Sequence, residues 1–288
     1  MEAINLRPVV DIQEIDKCHF ELVHGCQLRC VGCPISTLKP KVKHTPPDVF
    51  QQCMLNIDVQ RIRYLRLFNF GETLLHPELA KCFNIIQQLP YEISQVEIST
   101  NGQHAYWDDL TEVFKSGRLD ILAVSCDGDG TPEQYEALRP PGKWHKLIEF
   151  LKKAKELQLK YAPKMQLLTR TICTNPSDQA RWSDLLIPLG WTPEFRGWLS
   201  LPESLENLGG AGQFPNNVCR YLQRLNSLYI DWDGTVIPCC AHPNAGQFGS
   251  LKTHKFNHIV NSNSRHQMAD TMQQDRAQMP ICGQCGMS

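Results

Sequence analysis

Three cysteines fall within eight residues in the stretch HGCQLRCVGCP: Cys26, Cys30 and Cys33. A cubane iron–sulfur cluster has four iron corners. Three thiolates on one short loop hold three of them and leave the fourth iron open to a reacting ligand. A structural zinc or an electron-transfer cluster takes four protein ligands, which here would need a distant partner such as Cys18, His19 or His24. The spacing therefore sets an open, reactive cluster against a closed metal staple.

The chain that must position this loop has 288 residues, enough for one large domain or one with a small appendage. Its hydrophobic share of 42% and charged share of 20% are those of a globular protein. A net charge of −1 gives no global field to draw in nucleic acid or an anionic membrane. The lysines at 39, 41 and 43, and those at 152, 153 and 155, read as solvated surface. Thirteen cysteines, an odd number, follow an N-terminus with no basic-then-apolar signal pattern. No apolar stretch is long enough to span a bilayer. Metal ligation and free thiols are expected, not a disulfide framework, in a soluble cytoplasmic protein.

From residue 18 to 200, apolar or β-branched runs alternate with amphipathic stretches. The strands are expected at 19–23, 64–69, 95–99, 120–125, 165–171 and 194–198. A helix opens at Thr45 with Pro46 and Pro47 in its first turn, and others cover 78–89, 105–115, 143–157 and 177–189. Six such alternations imply an α/β fold, a parallel sheet covered by helices, with the active site at the C-terminal ends of its strands. The cysteine loop follows the first strand, as that rule requires. Residues 201–217, rich in Gly, Pro and Asn, read as a linker or lid. Beyond them Asp233-Gly234 marks a hairpin, and a helical pattern covers 257–271.

Taken in order, these motifs resemble the radical S-adenosylmethionine (radical SAM) superfamily along nearly the whole chain. The second strand is followed by Asn69-Phe70-Gly71-Glu72, where the family usually has Gly-Gly-Glu-Pro and binds the amino group of the cofactor. Phe70 and Thr73 depart from that pattern, while Glu72 keeps the carboxylate that an ammonium needs. Ser99-Thr100-Asn101-Gly102 at the third strand end, and Ser125-Cys126-Asp127-Gly128 at the fourth, running on to Tyr135, Arg139 and Gly142, match further family positions. The resemblance implies that Phe70, Gly71, Glu72, Ser99, Asn101, Ser125, Asp127 and Arg139 bind S-adenosylmethionine (AdoMet). Ser125 would hydrogen-bond it, and the Arg139 guanidinium would pair with its carboxylate.

The tail resembles the SPASM/twitch extensions of the same superfamily: Cys219, Gly234 and Cys239 in the family spacing, then Cys282-x-x-Cys285. It implies an auxiliary 4Fe–4S cluster on Cys219, Cys239, Cys282 and Cys285, the short twitch type being the better match. A zinc ribbon could use the same four thiolates. Cys240, adjacent to Cys239, competes as a ligand, and the family spacing favours Cys239. The expected architecture is a partial (β/α)6 TIM-like barrel with a small C-terminal extension. Residues 1–17 precede the core at 18–200, the linker spans 201–217, and the auxiliary domain covers 218–288.

The implied chemistry is reductive cleavage of AdoMet and hydrogen abstraction from substrate, with a flavodoxin- or ferredoxin-like electron donor. An auxiliary cluster that accepts an electron gives dehydrogenation, and a thiol that returns hydrogen to the opposite face gives epimerisation. Cys126, Cys173 and Cys240 are the candidate donors; Cys53 and Cys82 lie in helical patterns as core fillers. Arg170 and Arg196 either meet polar substrate groups or form internal ion pairs. The few residues before the first strand and the short tail point to a small polar metabolite such as a sugar, aminocyclitol or aminoglycoside. A peptide-modifying maturase is the alternative enzyme, and a non-catalytic zinc-binding module the alternative of another class.

Overall fold

The computed structural model describes residues 9–198, 201–202 and 218–286. The expected linker or lid therefore lies, beyond Leu201 and Pro202, outside the described residues. A nine-stranded sheet organises the chain. Six strands follow sequence order: β1 (Glu14–Phe20), β2 (Arg61–Arg66), β3 (Glu92–Thr100), β4 (Ile121–Ser125), β5 (Gln166–Ile172) and β6 (Thr192–Arg196). Each pairs in parallel with the next, and helices return the chain between them. These are α1 (Pro47–Leu55), α2 (Leu79–Gln87), α3 (Trp107–Lys115), α4 (Trp144–Tyr161) and α5 (Pro176–Leu186). The result is the parallel, helix-covered sheet that the alternation implied, in the form of the partial (β/α)6 TIM-like barrel expected from the family resemblance.

Local chemistry explains where the helices start. Pro47 and Pro176 occupy first-turn positions whose N–H would be unpaired anyway. Asn175 caps α5 by accepting the Ser177 N–H at 3.0 Å. One face of each helix is buried: Phe50, Cys53 and Met54 on α1, Cys82 and Phe83 on α2, Val113 and Phe114 on α3. Cys53 and Cys82 are therefore core fillers, as their helical spacing suggested. β1 starts at Glu14, ahead of the expected residue 19; its first half, Glu14-Ile15-Asp16-Lys17, is mostly polar and shows no apolar run.

The C-terminal segment is not a separate layer. β7 (Ser227–Ile230) pairs in parallel with β1, setting Lys17 opposite Ser227 and Phe20 opposite Ile230. β8 (Thr235–Ile237) turns back on β7 around Asp233-Gly234, where Gly234 adopts φ +85°, and β9 (Gly249–Ser250) pairs with β8. The expected hairpin is present, and it extends the barrel sheet past β1. The single helical pattern resolves into α6 (Phe256–Val260) and α7 (Asn263–Asp275).

Candidate active site

The cysteine loop leaves β1 through Leu22–Gly25 and is fastened from two sides. Arg29 N–H donates to the Pro140 carbonyl at 2.6 Å, and Val31 N–H to Leu138 at 2.9 Å, so the segment around Arg139 braces it. The Arg29 guanidinium donates to the carbonyls of Cys26 and Leu28 at 2.7 and 2.8 Å. On the other side Glu72 N–H donates to the Gly25 carbonyl at 3.0 Å. Gly71 lies flat on the Val23 and Gly25 carbonyls, where any Cβ would collide with backbone. That close approach explains why glycine is kept at 71 while the neighbouring family glycine is Phe70 here.

At the C-terminal ends of the strands these segments enclose a cavity of about 370 Å³. Cys26, Cys30 and Cys33 line it together with Phe70, Gly71, Glu72, Ser99, Asn101, Ser125, Asp127 and Arg139, from elements more than a hundred residues apart. Arg170, Arg196 and Cys240 complete its far side. Burial pushes the Cys26 thiol up to about 12 and Cys30 to about 11, with Arg139 opposing the shift at both. Unligated, these thiols are neutral, and binding iron means displacing their protons.

Glu72 is the most constrained group of the cavity. Its Oε1 accepts from the Thr100 hydroxyl at 2.6 Å and Leu74 N–H at 3.0 Å, and its Oε2 accepts from Asn101 N–H at 2.7 Å. Burial raises its pKa while those three donors oppose the rise. The carboxylate is thus held in one orientation, with acceptor capacity on Oε2 to spare. Arg139 pairs through Nη1 with Asp127, which also accepts from Ile172 N–H at 3.0 Å. The Arg139 Nε is buried without a hydrogen-bond partner. A fixed carboxylate facing an orphaned guanidinium N–H fits a ligand that carries both an ammonium and a carboxylate. Asp127, expected at the cofactor, lines the cavity while holding Arg139.

Two expected hydrogen donors do not reach this space. Ser125 and Asp127 face the cavity, so Cys126 between them faces the opposite side and is fully buried in the core. The same alternation turns Cys173 away from cavity-lining Ile172, with its thiol 3.7 Å from the Asn175 carbonyl. Cys240 does line the cavity and hydrogen-bonds Tyr221. Arg170 forms ion pairs with Glu97 and Glu194, and Arg196 is 2.9 Å from Glu194, so both arginines carry internal partners at the cavity edge.

Sequence reasoning missed two contributors. Asn69 lines the cavity with both amide atoms buried and unpartnered. It stands beside a motif that was legible, so its position was the available signal. Trp198 covers Gly32 of the cysteine loop, and a lone tryptophan carries no such signal.

Four of the remaining cysteines, Cys219, Cys239, Cys282 and Cys285, line a second, small cavity of about 20 Å³. Cys239 faces this cavity and Cys240 the larger one, again by strand-like alternation. Arg276 is buried and donates to the carbonyls of Cys282 and Cys285, both at 3.0 Å, fixing that turn. The four thiols sit around one small cavity, a donor set suited to an auxiliary iron–sulfur cluster.

Comparison with known proteins agrees with this geometry. The radical SAM superfamily matches residues 20–169, over half of the chain, and the SPASM iron–sulfur cluster-binding domain matches residues 219–286. The chain therefore belongs to the radical SAM superfamily and carries a SPASM domain. Its cofactors are a 4Fe–4S cluster with AdoMet and an auxiliary cluster. Among solved structures it resembles hexahistidine-tagged anSMEcpe with bound AdoMet, at 15% identity and TM-score 0.61, covering 94% of this chain and 89% of that one. BtrN in complex with AdoMet and 2-DOIA is similar at 14% identity and TM-score 0.57, with 94% and 92% covered. Native anSMEcpe with AdoMet and a Cp18Cys peptide gives 14% and 0.61 over 94% and 89%. At such identities the likeness is one of fold. No curated protein matches the sequence.

Proposed function

We propose that the protein is a radical SAM oxidoreductase or epimerase acting on a carbon–hydrogen bond of a small polar metabolite, of the sugar, aminocyclitol or aminoglycoside kind. In this reading Cys26, Cys30 and Cys33 hold the open-site cluster. Glu72 receives the AdoMet ammonium, the free Arg139 N–H receives its carboxylate, and Ser99, Asn101 and Ser125 supply polar contacts along its length. Bound there, cluster and cofactor supply hydrogen abstraction by a 5′-deoxyadenosyl radical. Cys219, Cys239, Cys282 and Cys285 hold the auxiliary cluster. The domain limits follow: a barrel core to residue 200 and an auxiliary domain from 218.

The observation that carries the substrate class is Asn69. A buried amide with no partner, flanked by Phe68 and Phe70 on the cavity wall, suits a ligand that offers hydroxyl or amino groups and a ring face. Arg170 and Arg196, already paired, shape a charged edge without presenting a bare cation. In this reading Cys240, which lines the cavity, returns a hydrogen atom, which gives epimerisation. An electron passed to the auxiliary cluster gives dehydrogenation instead. Among the described residues no helix is long and apolar enough to cross a membrane; a cytoplasmic enzyme reduced by a flavodoxin- or ferredoxin-like donor is our working setting.

The test is 5′-deoxyadenosine formation by the reconstituted, reduced enzyme in deuterated water, challenged with a pool of sugars and aminoglycosides and a pool of peptides. Stimulation by the first pool is expected, with deuterium at carbon for epimerisation or a loss of two mass units for dehydrogenation. Stimulation by peptides alone would replace the small-molecule reading with the peptide-modifying one. Among the structurally similar proteins, BtrN was solved with 2-DOIA and anSMEcpe with a peptide, so the fold itself accommodates both.

A further inference from the structure

Directly past the paired ends of β1 and β7, on the approach to the cysteine loop, three side chains converge. Glu21 follows β1, Asp231 follows β7, and His24 stands two residues before Cys26. The His24 Nδ1 is 3.6 Å from Oε1 of Glu21 and 3.9 Å from Oδ1 of Asp231. All three ligand atoms lie within 4.8 Å of one another. Both separations are too long for a hydrogen bond. Glu21 is 1% exposed, and its Oε1 and the His24 Nδ1 are each buried without a hydrogen-bond partner. Among the described residues, the other Glu21 oxygen accepts only the Phe70 N–H, at 3.4 Å.

Two carboxylates forced together under cover normally share a proton or a cation. Burial drives the Glu21 carboxyl up to about 7, with His24 opposing the shift and Asp231 adding to it. The surroundings hold the three groups in place rather than neutralise them. Glu21 N–H is bonded to the Ile230 carbonyl at 2.9 Å, and Trp232 N–H caps Oδ1 of Asp231 at 2.8 Å. Thr45 links the Leu22 and Trp232 carbonyls across the site at 2.9 and 2.6 Å. The Lys43 ammonium is taken up 4.7 Å over the Trp232 ring.

We propose that Glu21, His24 and Asp231 form a binding site for one divalent first-row cation, manganese or zinc, distinct from both cysteine sites. A cation about 2.1–2.4 Å from each ligand atom spans these separations, and one imidazole with two carboxylates is a donor set such ions accept. The ligands come from the root of the cysteine loop and from the hairpin that leads to the auxiliary cysteines. The cation therefore ties the two cluster-bearing parts of the chain together at one point.

The experiment uses the anaerobic holoenzyme with both clusters filled, titrated with Mn²⁺ while free Mn²⁺ is followed by electron paramagnetic resonance. Filled clusters leave manganese no thiolates to compete for, and it prefers oxygen and imidazole donors in any case. One Mn²⁺ per chain is expected, displaced by Zn²⁺. Glu21→Gln and Asp231→Asn should each weaken binding roughly 100-fold or more, since losing even an outer-sphere partner costs about 10–100-fold. The exposed Glu112→Gln should bind as wild type. If Glu21→Gln does not fold, Asp231→Asn, at a side chain 18% exposed, carries the test alone. Absence of Mn²⁺ and Zn²⁺ uptake, or uptake unchanged in the variants, would overturn the proposal and leave a His24–Glu21 ion pair in its place.

Discussion

Glu72 and Cys240 concentrate the testable chemistry of single residues. Glu72→Gln keeps the shape of the side chain and removes the charge that, in the proposed reading, meets an ammonium. It should weaken AdoMet binding by about 1.5–3 kcal/mol, roughly 10–100-fold, read by equilibrium binding to the reconstituted enzyme. Cys30→Ala should abolish 5′-deoxyadenosine formation altogether, and retained cleavage would mean that another set of ligands holds the cluster. Cys240→Ala should still form 5′-deoxyadenosine, yet lose product deuterated at carbon if its thiol is the hydrogen donor. The sequence made Cys26, Cys30, Cys33, Glu72 and Arg139 legible because each lies in a spaced motif. It could not rank Cys126, Cys173 and Cys240, since which side a residue faces is decided by strand register. Cys126 lost its candidacy to the alternation that favours Ser125 and Asp127. Asn69 went unnoticed because an unpartnered amide is a property of the folded cavity alone.

The connection between β2 and α2 decides whether the loop keeps its place. Gly71→Ala would drive a Cβ into the Val23 and Gly25 carbonyls. It should cost about 1–3 kcal/mol or more and loosen the cysteine loop, measurable as a lower Tm and a lower iron content after reconstitution. His76, in the same connection, donates from Nε2 to the Thr45 carbonyl at 2.8 Å and accepts the Glu78 N–H on Nδ1 at 3.1 Å. Burial lowers its pKa, and the neutral ring is the one these bonds require. The unfolded chain therefore binds a proton that the folded one refuses, and stability is full above the ordinary histidine pKa of about 6.5 and falls as pH drops below it. The loss can reach about 1.4 kcal/mol per pH unit. Replacing His76 with Gln should flatten the acid side of a Tm-versus-pH curve, and an unchanged slope would remove His76 as its source. The core strands were readable as apolar runs, whereas the polar first half of β1 hid the strand's true start at Glu14.

The whole molecule is joined by a pairing that leaves no local mark in sequence, because β1 and β7 are separated by some two hundred residues. The hairpin around Asp233-Gly234 was legible; its attachment to the barrel was not. Continuity of the sheet predicts that barrel and auxiliary domain unfold together in denaturant. Tryptophan fluorescence and the visible absorbance of the clusters should lose signal at one midpoint, and two separated midpoints would show the domains to be independent. Ala241 lines both the larger cavity and the small cysteine cavity. The partition between the two redox chambers is thus a single alanine thick at that point, with Cys239 on one side and Cys240 on the other. On the proposed dehydrogenation route, this thin place is the shared wall between the substrate's chamber and the auxiliary cysteines.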